Sequence, residues 1–177
     1  MRDSGGVAHD DVTSRLAALE HRVARAESIL AIQAMKARYA ELVDARFARG
    51  AVVEVAALGD VVAAIAALFT VDGIWDGGPG LGRAQGRPAI AAALAAPTLS
   101  FSRHIFTNPR IDSDGTRATG RWDLLSPCRR RDGTSYWMCG VEDDEYELVE
   151  GSWLHRSMRL TTVVMAPVGS GWERVFV

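Results

Sequence analysis

The spacing of the apolar residues changes once along this chain, and that change restricts what it can fold into. From about Asp11 to Phe47 apolar side chains recur every three or four residues, the period of a helix with one buried stripe. From about Ser100 onward they alternate, and the runs are separated by turn dipeptides at Asp114-Gly115 and Asp132-Gly133. Helices first and antiparallel strands afterwards specify an α+β layout, in which the helices cover one face of a sheet.

Within the helical part, Leu16, Leu19, Val23, Ala26 and Leu30 form one stripe. The stripe then shifts to Ile29, Ile32, Met35, Tyr39, Leu42, Val43 and Phe47, with Asp44 at its edge. The first section, 11–28, reads either as a solvated surface helix or as an arm that packs on another subunit. Residues 1–10 read as a disordered tail and 11–177 as one domain. Gly50 interrupts the helix; 51–58 reads as an inserted helix or a mobile lid, and Gly59-Asp60 starts a helix running through Leu68. A strand with a turn follows from Leu68 to Trp75, then a glycine-rich loop at 77–80, and a short helix from Gly86 to Pro97 with Pro88 in its first turn. Strands are predicted at 100–111, 116–126, 135–148, 152–166 and 172–176, the last pairs joined through Gly151 and Gly169-Ser170-Gly171. Long strands wrapped round early helices make a cone-shaped, curved antiparallel or mixed sheet, whose interior is a natural ligand cavity.

Composition narrows the function. A net charge of −2 gives no basis for a nucleic-acid or anionic-membrane partner. No stretch reaches the roughly 18 apolar residues that span a bilayer, and the polar start is no signal peptide, so a cytoplasmic location is expected. Cys128 and Cys139 lack metal or redox spacing. Arg129-Arg130-Arg131 beside Asp132-Gly133 reads as a solvated hairpin tip. His9, His21 and His155 show no partner spacing, and no metal or other cofactor is expected.

Two residues suggest chemistry. Asp44 ends the long helix, and His104 stands in the strand Phe101-Ser102-Arg103-His104-Ile105-Phe106. A carboxylate holding an imidazole fixes its tautomer and makes a general base that works near neutral pH. Alternatively, Asp44 only pairs with Arg46 or Arg103, and His104 is a core histidine. Tyr39 reads either as a donor to a substrate oxygen or as a core aromatic. Lys36 reads as a stem on the surface with its amine in water. Trp75, Phe106, Trp122, Trp137 and Met138 all fall in strands, where alternation lets only some of them face a cavity. Asp123 must point away from Trp122, in a direction the sequence leaves open.

The order of several short pieces resembles a known family. Ile32, Tyr39 and Asp44, then Leu68-Phe69-Thr70-x-Asp72-Gly73-x-Trp75, Gly86-Arg87-x-Ala89-Ile90 and His104-x-x-x-Asn108, are similar to the SnoaL-like group of the nuclear transport factor 2-like superfamily. The likeness continues through Asp114-Gly115-x-x-Ala118-x-Gly120-x-Trp122 and Asp144-Glu145-Tyr146-x-x-x-x-Gly151-x-Trp153. It implies a cone of mixed α+β type, commonly a homodimer or homotrimer. Its members include dehydratases, a dehydrochlorinase, polyketide cyclases and steroid isomerases. The resemblance implies an Asp44–His104 dyad, a pocket role for Tyr39 and, late in the sheet, a supporting arginine for which Arg156 is the nearest candidate. Asp123 is a further supporting candidate. The expectation is a cofactor-independent lyase, isomerase or cyclase acting on a hydrophobic, ring-bearing small molecule; the alternative is a non-catalytic binding or accessory subunit, like the β subunits of ring-hydroxylating dioxygenases. The segment 45–60 is longer than is usual in that family and stands where it could reshape access to the pocket.

Overall fold

The computed structural model describes residues 5–168, with side chains described from residue 11; the strand expected at 172–176 lies outside them. Helix α1 spans Gly5–Asp44, so the helix begins earlier than the expected boundary at Asp11 and ends three residues before Phe47. Its second half is buried through Ile32, Lys36, Tyr39, Leu42 and Val43, while Leu16, Leu19, Val23 and Leu30 in the first half are exposed.

The segment expected as an inserted helix or mobile lid over 51–58 is divided between a hairpin strand and the start of the next helix. Phe47–Ala48 (β1) and Ala51–Val52 (β2) pair as a small hairpin. Arg49 and Gly50 both have positive φ, 51° and 76°, the conformation that lets a two-residue turn match the twist of its strands. Helix α2 then runs unbroken over Val55–Ala67, passing straight through Gly59.

The main sheet contains β3 (Phe69–Asp76), β4 (Arg83–Gln85), β5 (Leu99–Ser102), β6 (Ile105–Ser113), β7 (Arg117–Arg130), β8 (Ser135–Val149) and β9 (Ser152–Pro167). Helix α3 (Arg87–Ala95) lies between β4 and β5, with Pro88 in its first turn. The order is β4-β3-β9-β8-β7-β5, and β6 also pairs with β7. Only β3 and β9 run parallel, so the sheet is mixed. The turn dipeptides at 114–115, 132–133 and 150–151 join the long strands, as their chemistry requires. The fold is thus α+β, an open curved sheet whose concave face receives the helices.

Alternation along β7 and β8 decides which residues enter. Ala118, Gly120, Trp122, Leu124, Ser126 and Cys128 are buried on β7, and Met138, Gly140, Glu142, Asp144 and Tyr146 on β8. Cys128 and Cys139 are free thiols. Among the described residues no helix is long and apolar enough to cross a membrane.

The edge beside β7 is broken where it matters. A single strand was expected over 100–111, but Arg103 and His104 separate β5 from β6. Pro127 stands opposite this gap and has no N–H to give a ladder bond. Its carbonyl still accepts from the Arg103 amide at 3.1 Å. The missing proline N–H leaves the Arg103 carbonyl without a return bond, and the His104 amide makes its bond outside the sheet.

Candidate active site

Asp44 takes up that amide. Its Oδ1 accepts the His104 backbone N–H at 3.0 Å and lies 2.8 Å from His104 Nδ1. With Nδ1–H donating, Nε2 keeps its lone pair. The Asp44 carboxylate also lies 3.3 Å from Arg103 Nη1, whereas Arg46 makes no ion pair with it. Asp44 is the last residue of α1, which places its carboxylate at the end of the helix beside His104. The Phe106 ring stacks on the imidazole, with centroids 6.0 Å apart.

His104 lines a cavity of about 60 Å³ between the end of α1 and the concave face of the sheet. Trp75 from β3, Met138 and Glu142 from β8, Met158 and Leu160 from β9, and Ser102 and Ser126 supply the remaining walls. Phe47, Leu81 and the stretch from Ala93 to Leu99 cover it. The Ser102 and Ser126 hydroxyls are both buried and have no hydrogen-bond partner. Each such hydroxyl costs about 1–3 kcal/mol unless something polar meets it.

Arg46 is the cation of this site. It is buried, donates Nε to the Val43 carbonyl at 3.0 Å and Nη1 to the Leu94 carbonyl at 3.3 Å, and makes no ion pair with a carboxylate. Burial lowers its proton affinity from the ordinary arginine value, against the pull of Tyr39 and Asp44. A buried guanidinium bonded to carbonyls and lying over the Phe47 ring, with no ion-pair partner among the described residues, is ready to meet an anion.

Behind the cavity lies a charge cluster. Lys36 is not a surface lysine: its side chain is 1% exposed, and Nζ donates to Glu142 Oε2 at 2.5 Å and Asp144 Oδ2 at 2.7 Å. Burial pulls the ammonium's proton affinity down, but Asp144 and then Glu142 more than offset it, so it stays charged. Burial holds Glu142 above the usual carboxylate range, opposed by Lys36 and reinforced by Asp144. Tyr146 donates to Asp144 at 2.6 Å and accepts from Trp122 Nε1 at 2.9 Å. His155 is fully buried between the Phe69 and Tyr146 rings, with Nδ1 4.0 Å from Asp144.

Several expected site residues stand elsewhere. Arg156 is on the outer side of the sheet, 3.5 Å from Glu147, because it alternates away from His155. Asp123 accepts from Asn108 at 2.8 Å and also faces out. Tyr39 is set behind Trp75, whose indole N–H it accepts at 3.2 Å, and is not part of the cavity wall. Trp75 and Met138 line the cavity; Phe106, Trp122 and Trp137 do not. The sequence reading missed Glu142, Ser102 and Ser126 as cavity residues, and Arg46 as more than a salt-bridge partner. The alternation Met138-x-Gly140-x-Glu142-x-Asp144-x-Tyr146 was the available signal, masked by acids at both 143 and 145. Among the described residues no three His, Cys, Asp or Glu side chains are grouped to hold a metal ion.

A family model described as a SnoaL-like domain matches residues 24–159. The chain belongs to the SnoaL-like family. That match takes in the second half of α1, every cavity residue but Leu160, and the first half of β9, so the SnoaL-like domain is most of the described structure. Solved structures agree on the fold. A hexachlorocyclohexane dehydrochlorinase from Novosphingobium barchaimii superposes with a TM-score of 0.68 at 19% identity, covering 84% of this chain and 95% of its own. A protein assigned as a scytalone dehydratase from Novosphingobium aromaticivorans gives 0.63 at 23% identity, covering 78% and 86%. A nuclear transport factor 2-like protein with a cystatin-like fold from the same species gives 0.60 at 23%, covering 92% of each chain. Comparison with curated protein sequences gave no match.

Proposed function

We propose that this SnoaL-like protein is a cofactor-independent acid–base enzyme, a lyase of dehydratase type, or an isomerase or cyclase sharing the same first step. The observation that carries this reading is the 2.8 Å contact between Asp44 and His104 at the wall of a largely apolar cavity. His104 Nε2 removes a proton from carbon beside a carbonyl or leaving group, while Asp44 stabilises the imidazolium that forms. Arg46 meets the negative charge that develops on the departing or enolic oxygen. Glu142 lines the same cavity, with its carboxylate held by Lys36. Dehydration and dehydrochlorination, the activities in the names of two structural neighbours, are both eliminations and fit this division of labour.

The walls suggest the ligand. Trp75, Met138, Met158 and Leu160 suit a hydrophobic ring, and the two unpartnered serine hydroxyls suit a ring that carries oxygen. Two free thiols in adjacent strands fit a reducing, cytoplasmic setting.

A thermal-shift screen of steroids, polyketide-like phenols and halogenated rings identifies the ligand class, and turnover of the stabilising compounds tests the chemistry. Stabilisation with turnover that disappears in His104→Gln supports the enzyme. Stabilisation without turnover makes the protein a binding module, and no stabilisation by any ring compound removes the proposal.

A further inference from the structure

Residues 12–30 of α1 carry an apolar stripe that no described residue covers. Val12, Leu16, Leu19, Val23 and Leu30 are 52–64% exposed. With Ala26 they follow one another at intervals of four, three, four, three and four residues, an unbroken heptad seam with Leu16, Val23 and Leu30 at a and Val12, Leu19 and Ala26 at d. At 3.6 residues per turn this seam lies roughly 150° round the helix from Ile32, Lys36, Tyr39 and Val43, which hold α1 on the sheet. It therefore points away from the domain and its cavity.

The flanking charges say what fits there. Arg15 and Arg22 occupy g, and Glu20 and Glu27 occupy e; all four are exposed. In a parallel pair of identical helices, g faces the e position five residues later on the partner. That places Arg15 opposite the second copy's Glu20 and Arg22 opposite its Glu27, on both sides of the seam. An antiparallel pair would oppose Arg to Arg and Glu to Glu. We infer that residues 12–30 form a parallel coiled coil with a second copy of this chain. Fewer than three heptads are marginal for free helices, since nucleation is costly. Here the packed second half of α1 already supplies the nucleus, so association need only dock two preformed arms. With each domain on the far side of its helix from the seam, the described residues leave the seam accessible to a second copy.

Sedimentation equilibrium of the full chain tests this. Leu19→Glu with Val23→Glu puts charge into the seam at two exposed positions, where folding is undisturbed, and is expected to weaken self-association at least roughly 100-fold. Glu20→Arg with Glu27→Arg in one chain, and Arg15→Glu with Arg22→Glu in another, should each abolish association through the seam, and mixing the two should restore it. Identical sedimentation of the Leu19→Glu/Val23→Glu variant and the natural chain would overturn the inference. So would failure of the two charge-swapped chains to associate on mixing.

Discussion

At the scale of single residues, charge state separates the two roles that carboxylates play here. Asp44 accepts from two groups of one histidine and sits beside Arg103, so it acts as an anion. Asp44→Asn keeps the shape but removes that anion, and kcat/KM on a stabilising ring compound is expected to fall by roughly two to four orders of magnitude. Unchanged turnover would exclude the dyad from the mechanism. The cluster behind it is structural as well as chemical. Lys36→Met leaves Glu142 and Asp144 buried without their cation, which is expected to cost about 3–5 kcal/mol in urea unfolding. The two serines make a different prediction. Replacing Ser102 and Ser126 by alanine should leave the fold stable yet flatten the preference for a ring hydroxyl or ketone over its deoxy isostere, measured as a ratio of Kd values. A preference that survives both substitutions would assign oxygen recognition to other groups.

At the scale of elements, the hairpin β1–β2 and the corner from α3 into β5 form the cover of the cavity. Arginines pin both by their carbonyls: Arg129 donates to Gly50, Arg131 to Pro97 and Arg46 to Leu94. A cavity of about 60 Å³ holds several water molecules, whereas ligand sites usually offer on the order of 300 Å³ or more. For the proposed ring-bearing ligand to enter, this cover would have to yield. Gly50 has φ +76°, and a Cβ there would lie 3.0 Å from Arg129 Nη2. Gly50→Ala is expected to cost about 1–2 kcal/mol and to speed hydrogen exchange at 51–53 more than in β7 or β8. Uniform acceleration would mean that the hairpin opens only with global unfolding. The long strands, the helix of 87–95 and the end of α1 beside Asp44 were legible because period and turn residues are local signals. The hairpin was not, since Phe47 to Val52 is too short to show a period and its turn begins with an arginine rather than the usual Asn or Asp. The break at Arg103 and His104 was also hidden, because Pro127 is twenty-four residues downstream of Arg103 and faces it only once the strands pair. Lys36 misled for a related reason: its two partners are more than one hundred residues away.

At the scale of the whole molecule, the buried histidine links folding to pH. His155 has no exposure, and burial lowers its pKa to about 3, with Asp144 pulling it up and Lys36 pushing it further down. In the unfolded chain an ordinary histidine binds its proton near pH 6.5. Between about pH 6.5 and about pH 3 the unfolded state therefore holds a proton that the folded state does not, and acid favours unfolding there. The loss approaches about 1.4 kcal/mol per pH unit once the pH is well below 6.5. Glu142 opposes this, because its raised pKa makes the folded state bind a proton just above the usual carboxylate range. The comparison that isolates the histidine is His155→Phe, which keeps an aromatic ring against Phe69 and Tyr146 while removing the titrating group. Urea midpoints of the natural chain should fall from pH 7 to pH 5 relative to those of the variant, and the two curves should run parallel above pH 7.5. Parallel curves across the whole range would show that His155 is protonated in the folded state, or that water reaches it. The interior beside Asp144 would then be wetter than its packing implies, and the charge cluster behind the cavity would be open to solvent.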